Sequence, residues 1–461
     1  MDKKKIIYFA LGALLILPSC SQDEPEVTIT AEDNRIYFRS YLPTVTTSRA
    51  SVLTSDKFAA CQVTCFNPEE EKYIDNTTGA LSPYFGDVTF IKDVSDKFHS
   101  QSDEELIWPG ADSELHFFAY YPSVEDMKKT STVNDCFRLV NRSAVTDGSA
   151  RFDYRLENFS VAREIADQID FVTAYASGSQ LSSSSTGVKL DFKHRLARVE
   201  LSAWGANEKY DFEIAGVRIG NPLTQADFDL SAATRDNDPQ WLFASQSVST
   251  VEHIFSSGET IVRLGKTAEN HRSEDDAASL MGSAGPAMVI PMQNRIEAWE
   301  GKADPAIINV PYATDKLYFS ILLRVKNADN ELVYPYPNRD EKMNVIYFAV
   351  DGEGQIVERL YEKDDRYYTS PDCDEDSRYV AETSVEICPF GWAALPVAAR
   401  WEAGKIYTYK LNYSNGIGWH DPDDPEPGEP IIERGKIPFN VVVSEWIRTD
   451  EDKSDINVPK R

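Results

Sequence analysis

The chain has 461 residues, with 47 basic and 75 acidic side chains and a formal net charge of −28. Such an acidic chain has no basic surface with which to displace phosphate counterions, which argues against nucleic acid as a partner and against direct adhesion to anionic lipid. The hydrophobic fraction of 42% and the charged fraction of 26% are typical of folded proteins, so the composition excludes wholesale disorder, and the length allows two or three domains.

The first nineteen residues have the features of a lipoprotein signal peptide. Lys3–Lys5 form a basic region, and the apolar core Ile6–Leu17 that follows is too short to span a bilayer comfortably. The sequence LPSC at 17–20 resembles a bacterial lipobox, in which the cysteine carries the lipid. We predict a signal peptide at 1–19 and acylation of Cys20 with chains such as palmitate; the alternative is an ordinary signal peptide with an incidental Cys20.

The residues after Cys20 predict an acidic tether at 20–34. Ser21–Glu24 resembles the acidic signal that directs lipoproteins to the outer leaflet of the outer membrane. We therefore predict a protein that is lipid-anchored in the outer membrane and exposed at the cell surface. No second apolar run of about 18 residues follows, so the sequence predicts no other membrane-spanning segment.

Strand patterns dominate the remaining chain, which predicts an all-β fold. In the segment Arg35–Leu42, Ile36, Phe38 and Leu42 share one face and alternate with polar or aromatic residues. The same period predicts half-buried strands at 405–413 and 439–443. Two hairpins are predicted, one around the turn at 327–330 and one around the turn at 351–354. Short helices are predicted at 102–106 and 124–129.

Two segments leave the local structure open. At 190–201 the apolar residues change phase near Leu196, which fits a strand with a bulge or bend, although a helix would also place Phe192, Leu196 and Val199 together. The Ser/Gly-rich stretch at 177–187 before it predicts a domain boundary. Near the C-terminus, the Pro- and Asp-rich stretch at 420–430 predicts an extended surface loop.

The five cysteines beyond Cys20 predict buried free thiols. Cys61 and Cys65 lie four residues apart in a predicted strand, so their Cα atoms should be about 13 Å apart, too far for a disulfide without bending the backbone. No CxxC motif is present, and the cysteine spacing fits neither zinc nor a redox pair.

The sequence contains no catalytic signature, and we predict that the protein is not an enzyme. The sequence has no HExxH, GxSxG, Walker loop or GxGxxG motif at a point where a strand leads into a helix, and its six histidines are scattered along the chain. Two acidic clusters could bind Ca²⁺, although charged runs are usually solvated. The clusters are Asp372, Asp374, Glu375 and Asp376, and Asp421, Asp423, Asp424 and Glu426. No other cofactor or metal is predicted.

Arg49 is a candidate cleavage site. It lies in TTSRA, a polar stretch between the predicted strand Arg35–Leu42 and the apolar segment that begins at Phe58. A trypsin-like protease could cut an exposed bond between Arg49 and Ala50; the alternative is a surface arginine at a strand edge.

Four separated sequence blocks resemble the fimbrillin-like (FimA/Mfa-type) pilin family of Bacteroidetes. The blocks are IWPGADSELHFFAYYPS at 107–123, ADQIDFVTAYA at 166–176, LDFKHRLARVELSA at 190–203 and VVVSEWIR at 441–448. Their order along the chain is the order expected in the family, and together they cover most of the mature chain.

This resemblance implies two transthyretin-like antiparallel β-sandwich domains, which we place at 27–188 and 189–461, in a lipoprotein precursor that assembles into a fimbrium. An Arg-specific protease would cut between Arg49 and Ala50 and remove Arg35–Leu42. The groove that this strand leaves would then accept a C-terminal strand from another subunit, which we place at Ile437–Ile447 with the tail to Arg461. Other fimbrial subunits, the outer membrane and a host glycan or protein receptor are the expected partners.

Two other functions remain open at this stage. The protein could be a non-polymerising surface lipoprotein that binds glycan or host protein through exposed aromatic residues such as Trp419 and Tyr413. It could also be a periplasmic hydrolase, because missing motifs are weak evidence against catalysis.

Overall fold

The computed structural model describes residues 34–42, 58–102, 105–129, 138–146, 149–183, 186–234, 241–292, 316–335, 345–422, 430–432 and 437–445. Within them strands are the dominant regular structure, as the sequence predicts. The strands up to the predicted domain boundary and just beyond it are β1 Phe38–Tyr41, β2 Ala60–Phe66, β3 Pro83–Lys92, β4 Lys97–Ser100, β5 Leu115–Tyr121, β6 Arg138–Asn141, β7 Ala144–Thr146, β8 Ser149–Arg151, β9 Tyr154–Ser160, β10 Val172–Gly178, β11 Val188–Asp191 and β12 Lys193–His194.

The second half of the chain contributes seventeen described strands. They are β13 Ala197–Trp204, β14 Tyr210–Gly220, β15 Leu223–Asp229, β16 Trp241–Val248, β17 Val251–Ile254, β18 Val262–Gly265, β19 Ala278–Ser279, β20 Ala287–Val289, β21 Tyr318–Asn327, β22 Leu332–Tyr334, β23 Ile346–Asp351, β24 Ile356–Lys363, β25 Arg366–Tyr368, β26 Val385–Pro396, β27 Lys405–Asn412, β28 Trp419–His420 and β29 Phe439–Glu445.

Helices are few and short in the described part of the chain. The α-helices are α1 Val124–Lys129, which confirms one of the two predicted helices, and α2 Gln180–Ser183; the 3₁₀ helices are Glu71–Tyr73, Ile165–Asp167, Leu230–Thr234, Glu274–Asp276 and Glu375–Ser377. The helix predicted at 102–106 is wrong at its described residues, which are not helical. None of the described helices has the length and apolar character needed to cross a bilayer.

Both predicted hairpins are confirmed. β21 pairs antiparallel with β22, and the side chain of Asn327 accepts backbone N–H groups inside the turn, from Asp329 at 3.0 Å and from Glu331 at 2.9 Å. β23 pairs antiparallel with β24, and Asp351 closes that turn by accepting from the backbone N–H of Gln355 at 2.8 Å. Asn and Asp suit these positions because their short side chains bond to the backbone nearby.

The described strands form five sheets. The order in the eight-stranded sheet is β11-β1-β4-β3-β2-β5-β10-β12, and the ten-stranded sheet has the path β17-β14-β21-β26-β23-β24-β25. A smaller sheet has the path β19-β13-β27-β29, a four-stranded sheet has the order β16-β15-β9-β6, and β7 pairs with β8.

The segment at 190–201 is a bent strand rather than a helix. β11 and β12 end before Arg195, and β13 begins at Ala197, so the apolar phase changes where the strand pairing is interrupted. Leu196 is buried at this bend. The strand interpretation is confirmed, and the helical alternative is wrong.

The predicted boundary between 188 and 189 stays a prediction, and the chain makes extensive contacts across it. β9 and β15 lie on opposite sides of this boundary in sequence and pair antiparallel in one sheet. The largest hydrophobic cluster also contains residues from both sides; the rings of Phe171 and Phe228, for example, have centroids 5.1 Å apart.

Three of the described cysteines are buried and all four are free, which confirms the thiol prediction for Cys61, Cys65 and Cys388. Burial raises the pKa of the Cys61 thiol well above its usual range. Cys373 is half-buried rather than buried, because it lies in the loop that follows β25. Cys136 lies outside the described residues.

The predicted surface loop at 420–430 is wrong at its start. His420 belongs to β28, which pairs with β26, and both His420 and Asp421 are buried. Asp421 forms an ion pair with Arg218 and accepts a hydrogen bond from Ser320. A buried carboxylate is tolerated here because a charged partner and a hydroxyl compensate for its lost hydration.

Candidate assembly site

The strand β1 occupies a slot inside the eight-stranded sheet. It runs parallel to β11, with Phe38 opposite Val188, and antiparallel to β4, with Phe38 opposite Phe98. We call the space between β11 and β4 the β1 slot. Because β1 is flanked on both sides, its removal would leave main-chain N–H and C=O groups of both neighbours without their strand partner.

The alternating residues predicted to face the core hold β1 in this slot. Ile36, Phe38 and Leu42 are at most 5% exposed. The Phe38 ring meets two aromatic rings edge-on, Phe90 at 4.7 Å and Phe117 at 5.1 Å between centroids. Edge-to-face contacts of this kind are favourable beyond the area they bury. The segment therefore fills a hydrophobic groove that other strands line.

The opposite face of the segment that contains β1 contacts polar side chains and a glycine. The Tyr37 ring stacks on His99, and the Lys97 ammonium lies 4.6 Å from the Tyr37 ring centroid. Gly187 has a φ of +75°, and a Cβ atom there would lie 2.7 Å from the Tyr37 ring. The positive φ and the close approach of the Tyr37 ring both require glycine at 187. This glycine allows the start of β11 to lie against the segment that contains β1.

Backbone hydrogen bonds also fix the residues on the N-terminal side of β1. The N–H of Ile36 donates to the carbonyl of Leu106 at 2.9 Å, and the N–H of Trp108 donates to Asn34 at 2.9 Å. Arg35 also forms an exposed ion pair with Glu105. The strand predicted at Arg35–Leu42 is thus confirmed as an extended segment that contains β1, while its removal stays a prediction.

The strand β29 is a second unusual element. It pairs antiparallel with β27 through seven residue pairs, from Lys405 opposite Glu445 to Leu411 opposite Phe439. Among the described strands β27 is its only neighbour, so β29 lies at a sheet edge. Its strand character is confirmed. The predicted half-burial is wrong, because Val441, Val442 and Val443 are 42%, 50% and 53% exposed, on both faces of the strand.

The aromatic residues predicted to bind a ligand do not form an exposed site. Tyr413 is fully buried, and burial raises the pKa of its hydroxyl. Trp419 is half-buried in β28, where it lies opposite Ala394 and packs against Tyr318. The prediction of Tyr413 as an exposed aromatic is wrong, because its strand alternation points it into the core beside Phe212.

The first acidic cluster makes local contacts. Asp374 accepts the backbone N–H of Ser377 at 2.8 Å, and the hydrogen bonds from Ser377 lower the Asp374 pKa. Glu375 pairs with Arg366 at 3.4 Å.

Asp421 of the second acidic cluster is paired with Arg218, while Asp423, Asp424 and Glu426 lie outside the described residues. In the described ranges no group of three or more metal-ligating side chains has a metal-binding arrangement. The calcium hypothesis stays a prediction.

Cys20, Arg49 and Ala50 lie outside the described residues, as do the signal peptide and most of the acidic tether. Lipid attachment at Cys20 and cleavage after Arg49 therefore stay predictions.

The fold and these two strands define an all-β protein with one apolar strand held inside a sheet and another at a sheet edge. A family model described as fimbrillin-like matches residues 46–446. This chain belongs to the fimbrillin-like family, which confirms the resemblance found in the sequence. The family is one of structural and adhesive proteins rather than of catalysts.

Solved structures of candidate cell adhesion proteins are similar to this chain. One from Bacteroides uniformis is 12% identical with a TM-score of 0.35, and the match covers 90% of this chain and 98% of that one. Another from Bacteroides ovatus is 12% identical with a TM-score of 0.33 and covers 90% and 99%. One from Parabacteroides distasonis is 10% identical with a TM-score of 0.35 and covers 90% and 97%. No curated protein matches this chain.

Proposed function

We propose that this protein is a cell-surface structural or accessory subunit of fimbriae that assembles by donor-strand exchange and acts in adhesion, without a catalytic site. In this proposal the precursor is anchored in the outer membrane through lipid on Cys20. Cleavage between Arg49 and Ala50 then releases the segment that contains β1, and a strand from another subunit takes its place.

The burial of β1 between two strands is the observation that carries the proposal. Ile36, Phe38 and Leu42 fill a groove, and each fully buried side chain of this kind contributes about 1.5–3 kcal/mol relative to exposure. If β1 leaves, this apolar groove and the edges of β11 and β4 become available together. An incoming strand satisfies both requirements at once, since it supplies main-chain hydrogen bonds and alternating apolar side chains.

The edge strand β29 supports the assignment of the donor to the C-terminal segment 437–447. Val441 and Val443 alternate along it as Ile36 and Phe38 do along the β1 segment. Three consecutive valines of β29 are about half exposed, so separation of β29 from β27 would expose little additional apolar surface on β29. The main-chain hydrogen bonds lost to β27 would be regained in the slot of the next subunit.

Mass spectrometry of the mature N-terminus tests the maturation step. The proposal predicts a mature chain that begins at Ala50, and Arg49→Ala should leave full-length protein with acylated Cys20. Arg39→Ala is the matched control, because Arg39 is an exposed arginine within β1 and its loss should leave processing unchanged. Mature surface protein that begins at acylated Cys20 and stays monomeric would contradict assembly and favour a non-polymerising glycan- or protein-binding lipoprotein.

A pair of valine substitutions tests the role of β29. Unboiled gels of the wild-type protein should show a ladder of oligomers, and the double variant Val441→Lys/Val443→Lys should lose it, since two ammonium groups cannot enter an apolar groove without a large desolvation cost. Val357→Lys, at a valine of β24 that is 39% exposed, should keep the ladder. An intact ladder in the double variant would exclude β29 as the donor.

A further inference from the structure

A polar cleft lies between the strands β2 and β3 and the helix α1. Its volume is about 420 Å³, within the range of about 300–1,000 Å³ that is usual for small-ligand sites. The polar side chains that line it include Gln62, Asp87 and Thr89 from the sheet and Ser123, Glu125 and Lys129 from α1 and the residues before it. This cleft is distinct from the β1 slot and from β29.

Hydrogen bonds fix the side chains on the sheet side of the cleft. The amide of Gln62 donates to the Thr89 hydroxyl at 2.9 Å, and the Thr89 hydroxyl lies 3.2 Å from the amide oxygen of Gln62. Both residues keep part of their surface exposed to the cleft. Side chains that are already ordered lose little conformational entropy when a ligand binds.

Asp87 is held in an unusual backbone conformation at the same site. Its φ is +50°, a region that residues other than glycine rarely adopt. The buried Tyr120 hydroxyl donates to one Asp87 carboxylate oxygen, and the Asp87 N–H donates to the Thr64 hydroxyl at 2.8 Å. Burial raises the pKa of Tyr120, so its hydroxyl stays protonated and keeps donating. These contacts fix the position of the Asp87 carboxylate in the cleft.

The helix side of the cleft is ordered by a cap. The Ser123 hydroxyl accepts the backbone N–H of Asp126 at 3.1 Å, and the Asp126 carboxylate pairs with the Lys129 ammonium at 2.7 Å. Asp126 and Lys129 therefore largely neutralise each other. Glu125 is exposed and has no hydrogen-bond or ion-pair partner among the described residues. The cleft thus offers two carboxylates, Asp87 and Glu125, together with an amide and hydroxyls.

We propose that this cleft binds a saccharide through its hydroxyl groups. A sugar hydroxyl both donates and accepts hydrogen bonds, and the cleft presents carboxylate acceptors at Asp87 and Glu125 beside the Gln62 amide and the Lys129 ammonium, which can donate. Hydrogen bonds from a neutral hydroxyl to a charged acceptor are stronger than those between neutral groups. The proposal does not depend on fimbrial assembly, because none of these residues belongs to the β1 slot or to β29.

Other ligand classes fit the cleft less well. The carboxylates of Asp87, Glu125 and Asp126 repel an anion. Its apolar and aromatic lining residues, Ala60, Cys61, Tyr121 and Val124, are outnumbered by polar and charged ones and are too few to bury a hydrophobic ligand. A cationic side chain from a partner protein is the remaining competitor, and the test below separates it from a sugar.

Saturation-transfer difference NMR tests the proposal on protein purified from the producing cells in a detergent without a sugar headgroup. The probes are the methyl glycosides of glucose, galactose, mannose, fucose and N-acetylglucosamine, with the methyl esters of N-acetyl-lysine and N-acetyl-arginine as cationic probes. At least one glycoside should bind, with a dissociation constant on the order of 1 mM for a monosaccharide.

Two variants locate the binding and a third controls for charge. Asp87→Asn keeps a side chain that tolerates positive φ and that can accept the hydrogen bond from Tyr120. Glu125→Gln is nearly isosteric. Each substitution should weaken glycoside binding by about tenfold, because one charge-assisted hydrogen bond is lost. Asp365→Asn should bind as wild type, since Asp365 is also exposed with a positive φ of 57° but does not line the cleft.

The outcomes decide the proposal either way. Glycoside binding that falls in both cleft variants and persists in Asp365→Asn supports it. Binding of none of the glycosides, binding that both cleft variants retain, or binding of the cationic probes alone overturns it. Oligomer ladders and the mature N-terminus are separate measurements, so a failure of the saccharide site is distinguishable from a failure of fimbrial assembly.

Discussion

The substitution Phe38→Ala measures how firmly β1 is held in its slot. Phe38 is fully buried, and its ring makes two edge-on contacts with Phe90 and Phe117. Removing a buried phenylalanine side chain costs about 3–5 kcal/mol, because transfer free energy is lost and a cavity remains. β1 has only four residues, so the cavity lies beside a short element whose own hydrogen bonds cannot compensate.

Urea denaturation and hydrogen exchange together measure this effect. We expect the free energy of unfolding to fall by about 3–5 kcal/mol if β1 unfolds together with the rest of the protein. If β1 leaves its slot before the rest unfolds, the loss is limited to the smaller free energy of releasing β1. In the second case the amides of β4 and β11 should exchange faster, while those of β23 and β26 should not change. Arg39→Ala, at an exposed residue of the same strand, should change the free energy by no more than about 0.5 kcal/mol.

A small effect would contradict the physical argument. If Phe38→Ala changed the free energy of unfolding by less than about 1 kcal/mol and left exchange in β4 and β11 unchanged, the Phe38 ring would not hold β1. The slot would then gain little from an apolar side chain at this position, and the argument for strand replacement would lose its main observation.

Three further predictions concern buried polar and thiol groups. Asp421→Ala should destabilise the protein by about 3–5 kcal/mol in urea denaturation, because a buried ion pair with Arg218 and a buried hydrogen bond from Ser320 are both lost; exposed Asp372→Ala should have little effect. Burial alone would raise the pKa of Glu259, but hydrogen bonds from Ser283 and Ser256 outweigh it and lower that pKa below the usual 4.5. The ionised Glu259 therefore stabilises the fold fully above the pKa of the unfolded state, and this stabilisation is lost as the pH falls through the pKa of the folded state. Glu259→Gln should cost about 1 kcal/mol of unfolding free energy at neutral pH and progressively less below about pH 4.5. An equal cost at neutral and at acidic pH would contradict this. Burial raises the pKa of Cys388 to about 12, so mass spectrometry should find it alkylated by iodoacetamide only after unfolding.

Much of the fold is predictable from local sequence patterns. Period-two alternation predicts the strands at 38–41, 405–412 and 439–445, and turn residues predict the hairpins that begin at β21 and β23. The phase change near Leu196 fits the bend there, although the same residues also fit a helix and the sequence does not decide between the two. These features depend on neighbouring residues and on the geometry of the strand itself, which is why the sequence is informative about them.

The sequence by itself determined that the chain is acidic and all-β, and that it resembles the fimbrillin-like family. Only the tertiary structure decided which strand faces are covered. β27 and β29 show the difference, since alternation predicts a half-buried strand in both regions. β27 has one covered face, with Tyr409 and Leu411 buried, whereas the valines of β29 are exposed on both faces. The polar cleft beside α1 likewise joins residues that lie far apart in sequence, such as Gln62 and Glu125. Burial depends on which other layers pack against a strand, and those layers come from distant parts of the chain.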